Sequence, residues 1–465
     1  MNESSTPGSP VIIPRSLHTI SRAAISPNAL KVLYRLKDAG YQAFLVGGAV
    51  RDLLLGITPK DFDVATNALP EEVRRLFRNC RLIGRRFRLA HVHFGSEIIE
   101  VATFRAAAAP EREADEDGDA DADAPGPADD LEHRAVDTRG RILRDNLYGT
   151  IDEDVWRRDF AANGLYYSID DFSVWDFVAG VADVQARRLT MIGDADARYR
   201  EDPVRMLRAV RFAAKLDFSI EPATEEPIRR LAHLLDGVPP ARLFDESLKL
   251  FLSGFGAKSY GLLRHYGLFE HLFPRSAAAF ALPPYKYAEQ MLQLGLANTD
   301  ARILAGKAVT PTFLFSLLLW GAVLREMNER QVGPAPDIAQ LLEACDVVLK
   351  GQQMRVAIPR RFAVPMRELL MLQPRFNRRS GVKSLGLLHH PRFRAAFDFL
   401  LLRAQVGAAD PELAEWWTDI QVLPQEERVK RVQARPQQAS VETAGAPPGR
   451  RRRRRRGSRG GAAPA

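Results

Sequence analysis

The sequence predicts an α+β protein: a small mixed-sheet head, then an all-helical neck and body, then a disordered basic C-terminal tail. Three observations carry this. Short strand-like runs alternate with short helical runs over roughly the first third of the chain. Beyond about residue 190 strand signals nearly vanish and helical stripes dominate. From about Val422 the composition turns to Gln, Arg, Ala, Pro and Gly, which cannot bury a core.

The elements follow in order. Residues 1–26 read as an irregular N-terminal arm. The head spans 27–185 and opens on a helix whose stripe is Leu30, Leu33, Tyr34 and Leu36, ending before Gly40. Then come a strand at Ala43 to Val46, a helix at Ala49 to Leu55, a strand at Asp61 to Ala65 and a helix at Pro70 to Phe77. Arg88 to Phe94 and Ile98 to Phe104 read as paired strands around a Gly95-Ser96 turn. Residues 107–132 break the pattern with eleven acids between Glu111 and Glu132 and no aromatic, the composition of a flexible surface loop. A helical neck (186–255) and body (256–421) carry stripes at Pro203 to Leu216, Pro227 to Leu235, Ala241 to Leu252, Thr312 to Leu324, Ile338 to Leu349 and Pro391 to Val406. The tail spans 422–465.

Bulk properties exclude several classes. At 465 residues the chain is too long for one core. No run of eighteen apolar residues appears, and the polar N-terminus lacks a signal-peptide pattern, so a soluble protein is expected. Cys80 and Cys345 alone exclude a disulfide framework and a cysteine zinc site, which fits a reducing cytoplasm. The net charge of +8 is concentrated in Arg450 to Arg456 and Arg459; without them the chain is formally neutral.

Chemistry concentrates in a few segments. Gly47-Gly48 opens a helix that continues through Arg51 and Asp52, and a glycine turn at a helix N-terminus suits a triphosphate. Strand alternation sends Asp61 and Asp63 to one face and Phe62 and Val64 to the other. Glu100 is the lone charge in an apolar strand, where a buried unpaired carboxylate demands a cation. Together these three acids would form a cluster able to hold two Mg²⁺ ions. Arg157-Arg158-Asp159-Phe160 reads either as a helix start or as a phosphate and ribose grip. In Glu201-Asp202-Pro203-Val204-Arg205, an acid and an arginine one turn apart can hydrogen-bond a base edge. Arg205, Arg208, Arg211 and Lys215 then share one side of a helix, which is otherwise read as a solvated basic face. His91 and His93 share a strand face without further metal-ligand spacing, and structural roles are expected for them. No P-loop pattern is present.

These segments resemble the class II nucleotidyltransferase superfamily, which contains bacterial poly(A) polymerases and tRNA CCA-adding enzymes. Leu45 to Asp52 with Asp61 to Asp63 matches its L-V-G-G-x-V-R-D and D-x-D motif, and Arg157 to Phe160 its R-R-D-F. Asp176, Gly180 and Asp183 match a hinge-like D-x-x-x-G-x-x-D. Glu201, Asp202 and Arg205 match E-D-x-x-R, and Arg242 with Glu246 matches R-x-x-x-E. His18 to Arg22, the run Gly84 to Val92 and the arginine-rich terminus are similar to the poly(A) polymerase branch. One departure is that the family carries Thr and a bulkier residue after R-R-D-F, where Ala161-Ala162 and Gly164 stand here; Asn163 is retained.

The resemblance implies template-independent addition of AMP from ATP to an RNA 3′-OH, in mRNA processing and turnover. Asp61 and Asp63 would hold Mg²⁺, with Glu100 or Asp159 completing the acid set. Gly47, Gly48 and Arg51 would hold the triphosphate, Asp202 and Arg205 would choose the base, and Asp52, Arg157, Arg158, Asn163 and Arg208 would belong to the same nucleotide-binding set. RNA 3′ ends and the RNA-degradation machinery are the implied partners, with monomer as the default state. The arginine tail reads as an RNA anchor or as a dock for an acidic protein. A CCA- or A-adding tRNA enzyme is the alternative function, and a noncatalytic RNA-binding protein the second.

Overall fold

The computed structural model describes residues 9–84, 88–106, 148–330 and 338–434, with the backbone alone at 135–136 and 142–144. The acidic loop, residues 85–87 of the Gly84–Val92 run and the arginine tail lie outside the described residues.

The head is built on eight strands. They are β1 (Val11–Ile13), β2 (Ala43–Val46), β3 (Asp63–Thr66), β4 (Cys80–Ile83), β5 (Leu89–Phe94) and β6 (Glu97–Thr103), then β9 (Leu165–Ser168) and β10 (Val174–Asp176). A separate short ladder pairs β7 (Ala135–Val136) with β8 (Ile142–Arg144). The sheet order is β1-β10-β9-β2-β3-β6-β5-β4. β3 and β6 run parallel, and every other neighbouring pair is antiparallel, so the sheet is mixed as expected. Part of the arm is not irregular: Val11–Ile13 pairs with β10, and Ile20 and Ile25 are buried. β1, β4, β9 and β10 are too short or too uniformly apolar to show a period of two, so sequence patterning passed them over.

One face of the sheet carries the main core. Leu45, Val64, Val92 and Val101 pack there with Val32, Leu33 and Leu36 of α1 (Pro27–Asp38) and Val73 of α3 (Pro70–Leu76). Helix α2 (Gly48–Leu54) runs from β2. The other face is covered only in part. Val155 of α4 (Ile151–Arg157) packs on Phe44, Val46, Ala65 and Tyr166, and among the described residues this cover does not extend to Asp63, Glu100 and His91.

The rest is helical. The neck runs through α5 (Gly180–Ala186), α6 (Ala195–Glu201), α7 (Val204–Leu216), α8 (Pro222–Leu231) and α9 (Pro240–Phe251), with a small parallel ladder of β11 (Arg188–Leu189) and β12 (Ser219–Ile220). α8 starts five residues earlier than its apolar stripe because Glu221 caps it and Pro222 occupies the first turn. The body continues through α10 (Gly256–Tyr266), α11 (Phe269–Leu272), α12 (Pro274–Phe280), α13 (Lys286–Leu304), α14 (Pro311–Glu329), α15 (Ile338–Gln353) and α16 (Arg360–Leu372). It closes with α17 (Phe393–Gln405), α18 (Pro411–Val422) and α19 (Gln425–Gln433). Structure therefore persists past Val422: the polar helix α19 is anchored by the fully buried Val432. Among the described residues, no helix is long and apolar enough to cross a membrane.

Candidate active site

Strand register gathers the acids. Val46 lies opposite Asp63, Asp63 beside Glu100, Glu100 opposite His91, and Val46 opposite Tyr166. All therefore point to the face that α4 leaves open past β2. Asp61 precedes β3 rather than lying in it, yet alternation holds: Asp61 and Asp63 are exposed while Phe62 and Val64 are buried. Although the Asp63 side chain is accessible, protein atoms crowd its carboxyl on one side, and that partial desolvation, with the negative charges of Glu100 and Asp61, pushes it up to about 6; Arg158 and His91 oppose the rise.

The expected three-acid cage is not closed. Among the described residues, no three His, Cys, Asp or Glu side chains are arranged to hold a metal ion. Glu100 is neither buried nor unpaired: its side chain is 42% exposed and meets His91 Nε2 at 3.3 Å. The cause is that, among the described residues, the apolar cover on this face stops short of this strand position. Asp159 is engaged by the neck. It accepts two bonds on Oδ2 from Arg208, at 2.6 Å from Nε and 2.5 Å from Nη2, and one on Oδ1 from the Phe160 N–H. Burial would raise its pKa, but Arg208 outweighs burial and holds it below the usual carboxylate range.

A cation borders the acids from the covered side. Arg158 Nε donates to the Tyr166 hydroxyl at 2.8 Å and Nη2 to Asp154 at 3.0 Å, while the Tyr166 hydroxyl donates to Asp154 at 2.6 Å. Burial alone would lower the Arg158 pKa, but Tyr166 and Asp154 more than offset it, and the guanidinium stays charged. Arg157 instead donates to the Ala106 carbonyl at 2.9 Å, tying the end of β6 to α4.

The glycine turn sits next to this cation. Gly47 adopts φ 68° and ψ −130°, a conformation that strains any residue with a Cβ, and such a Cβ would lie 3.3 Å from Arg158 Nη1. The N-terminus of α2 carries no side-chain cap. Arg51, which the resemblance sends to the triphosphate, turns inward instead: it is 2% exposed, donates to Asp52 at 2.6 Å, and also donates to Asn163 Oδ1. Its place on the inward side of a two-turn helix, under Phe212, makes it a brace between α2 and the 161–163 turn.

The three arginines on the basic side of α7 are paired rather than solvated, contrary to the bland reading of the sequence, while Lys215 at the end of the helix is exposed as that reading has it. Arg205 donates to Glu201 at 2.7 Å and to the Arg198 carbonyl at 2.9 Å. Arg208 holds Asp159, and Arg211 lies 3.8 Å from the buried Glu246 of α9. Asp202 accepts from Arg242 at 2.6 Å. The R-R-D-F, E-D-x-x-R and R-x-x-x-E segments thus interlock in one charged seam between head and neck. Asp176 accepts from the N–H groups of Val178, Gly180 and Val181 and so caps α5, while Asp183 pairs with Arg188 at 2.9 Å. Gly180 abuts the Ala161 carbonyl, where a Cβ would approach to 2.2 Å.

Known proteins resemble the chain over most of its length. Family models match residues 43–190 (poly A polymerase head domain), 217–280 (probable RNA and SrmB-binding site of polymerase A) and 334–459 (polymerase A arginine-rich C-terminus). The poly(A) polymerase I of Salmonella typhi is 50% identical over 415 residues, covering 88% of this chain and 85% of that protein. The chain belongs to the poly(A) polymerase family. A CCA-adding enzyme of Geobacillus kaustophilus is 35% identical over 264 residues, 55% of this chain and 58% of that protein. A solved CCA-adding enzyme in an apo form superposes with a TM-score of 0.59 at 18% identity, covering 88% of this chain and 86% of that one, which shows a shared fold.

Within this poly(A) polymerase family fold, several residues beside the acids were missed by the sequence reading. His91, expected to be structural, joins the acids through its register with Glu100 on the neighbouring strand. Tyr166 and Asp154 complete the Arg158 cluster from different elements. Arg198 donates to the carbonyls of both Arg157 and Arg158 from α6, a contact of side chain to backbone that leaves no pattern in residue types.

Proposed function

We propose that the chain transfers adenylate from ATP to the 3′ ends of RNA, one residue after another, as a polynucleotide adenylyltransferase. The observation that carries the reading is the pairing of Asp61 and Asp63 on an open sheet face with the Gly47 turn and the Arg158 guanidinium beside them. Family membership supports it, since identity to poly(A) polymerase I spans most of the chain and identity to CCA-adding enzymes about half.

The donor set fits a hard divalent cation. Asp63 is crowded by Glu100 and Asp61 so that its charge is opposed, which a cation would relieve, and carboxylate oxygens suit Mg²⁺. Asp61 and Asp63 would hold it, and when bound such an ion supplies charge neutralisation at the triphosphate and lowers the pKa of the attacking 3′-OH. The chain's own residues do the positioning. The Gly47-Gly48 turn admits the phosphates close to the backbone, and Arg158 adds fixed positive charge on the same side. Asp159, neutralised by Arg208, orients Asn163 and the turn above the site. Asp202 and Arg205 border the base from the neck, where Arg242 and Glu201 set their directions. RNA processing and turnover is the cellular role consistent with a single-stranded 3′ extension.

The test is primer extension on a generic RNA oligonucleotide with Mg²⁺, offering each nucleotide alone and then ATP with CTP. A long ladder with ATP alone supports the proposal. Addition that requires CTP and stops after CCA on tRNA ends would replace it with the CCA-adding function.

A further inference from the structure

A second concave site lies in the body, remote in sequence from the motifs above. The short helical turn 373–377, the following loop and the 3₁₀ segment 382–389 enclose a pocket of about 320 Å³ lined by Arg375, Arg378, Ser380, Lys383, Ser384 and His390, and by no carboxylate. The three cations are exposed, and among the described residues none of them makes a side-chain ion pair or hydrogen bond. Neighbouring arginines behave differently: Arg367 meets Asp346 at 2.8 Å, Arg392 meets Glu368 at 3.2 Å, Arg394 meets Asp398 at 2.9 Å and Arg431 meets Asp419 at 2.8 Å. Three unpaired positive charges converging on one hollow repel one another unless an anion enters.

The pocket is held open by its backbone. Gly381 adopts φ +78° and donates its N–H to the Val432 carbonyl of α19 at 3.0 Å, so the C-terminal helix pins the loop. Ser384 Oγ donates to the Gly381 carbonyl at 2.8 Å. His390 Nδ1 accepts the Arg392 N–H at 3.1 Å, which leaves Nε2 to carry the ring proton and act as donor. Nothing lies within 4 Å of a Cβ built on Gly386, so the rim is open to a large ligand rather than closed over a small one.

We propose that this pocket binds backbone phosphates of the RNA acceptor, clamping the strand on the body through Arg375, Arg378 and Lys383. It is separate from the 217–280 segment that the family model associates with RNA. The inference rests on the reading of RNA as substrate, but binding is measured without ATP, so failure of either is seen separately.

The experiment uses the full-length chain and fluorescence anisotropy with a 5′-labelled single-stranded RNA over a series of salt concentrations. In R378A/K383A, affinity falls severalfold and the log–log salt slope shrinks by about 1.4, since each phosphate contact on a single strand contributes roughly 0.7. R378K retains most of the slope, and R394A, which removes an exposed arginine already paired with Asp398, leaves the affinity near wild type. Thermal melting and the KM for ATP stay unchanged in R378A/K383A, because both side chains are exposed and far in sequence from the head. Unchanged RNA affinity and slope in R378A/K383A would overturn the proposal. So would unchanged RNA affinity combined with loss of stabilisation by inorganic phosphate, which would mark a site for a free anion.

Discussion

Arg208 of the neck and Asp159 of the head, 49 residues apart, close a doubly bonded ion pair with a shortest contact of 2.5 Å. Asp159 is buried, so this pair joins the R-R-D-F turn to α7 and fixes the angle at which neck residues overlook the acids on β3.

Removing Arg208 therefore strands a buried carboxylate. R208A is expected to cost about 2–3 kcal/mol in urea unfolding, and D159N/R208A to recover part of that loss because no unpaired charge is left. Equal destabilisation in the single and double variants would show that the pair is not what couples the two segments.

The raised pKa of Asp63 sets a pH dependence for metal. Below about 6 the carboxyl binds a proton instead of a cation, so affinity for Mg²⁺ or Mn²⁺ falls as pH drops. Isothermal titration at pH 5.5 against pH 7.5 is expected to show binding about fourfold weaker at the lower value, from the ionised fraction of this one group. D63N is expected to bind metal weakly at both values.

On the proposed function, Arg158 serves the fold and the site together. In R158Q, Asp154 and Tyr166 lose their cation in a buried cluster, with an expected loss of about 2–4 kcal/mol. R158K keeps the charge but not the forked geometry, and so retains more stability than turnover. Chemical denaturation and extension assays on the two variants separate these effects.

Gly180 is fixed by the Ala161 carbonyl rather than by its own dihedral angles. G180A drives a Cβ into that oxygen and is expected to lower the urea midpoint by the equivalent of about 2 kcal/mol or more.

Much of this organisation was legible in residue order because it is local. The glycine turn, the alternation around Phe62 and the proline-led start of α3 depend on near neighbours. What escaped depends on pairing at a distance. Glu100 read as buried because its strand is apolar, but among the described residues the cluster around Val155 of α4 does not reach it. Arg51 read as a phosphate ligand by resemblance, while its direction is set by Asn163, more than a hundred residues later. The charged face of α7 read as solvated because its partners, Asp159 and Glu246, belong to other elements.

The central claim, adenylate transfer at Asp61 and Asp63, is tested most directly by RNA extension with ATP alone in wild type, D61N and D63N, alongside RNA binding and melting of each. The expected result is a long ladder from wild type and none from either variant, with RNA affinity and melting temperature preserved. Extension by D63N at a rate near wild type would contradict the assignment of the site.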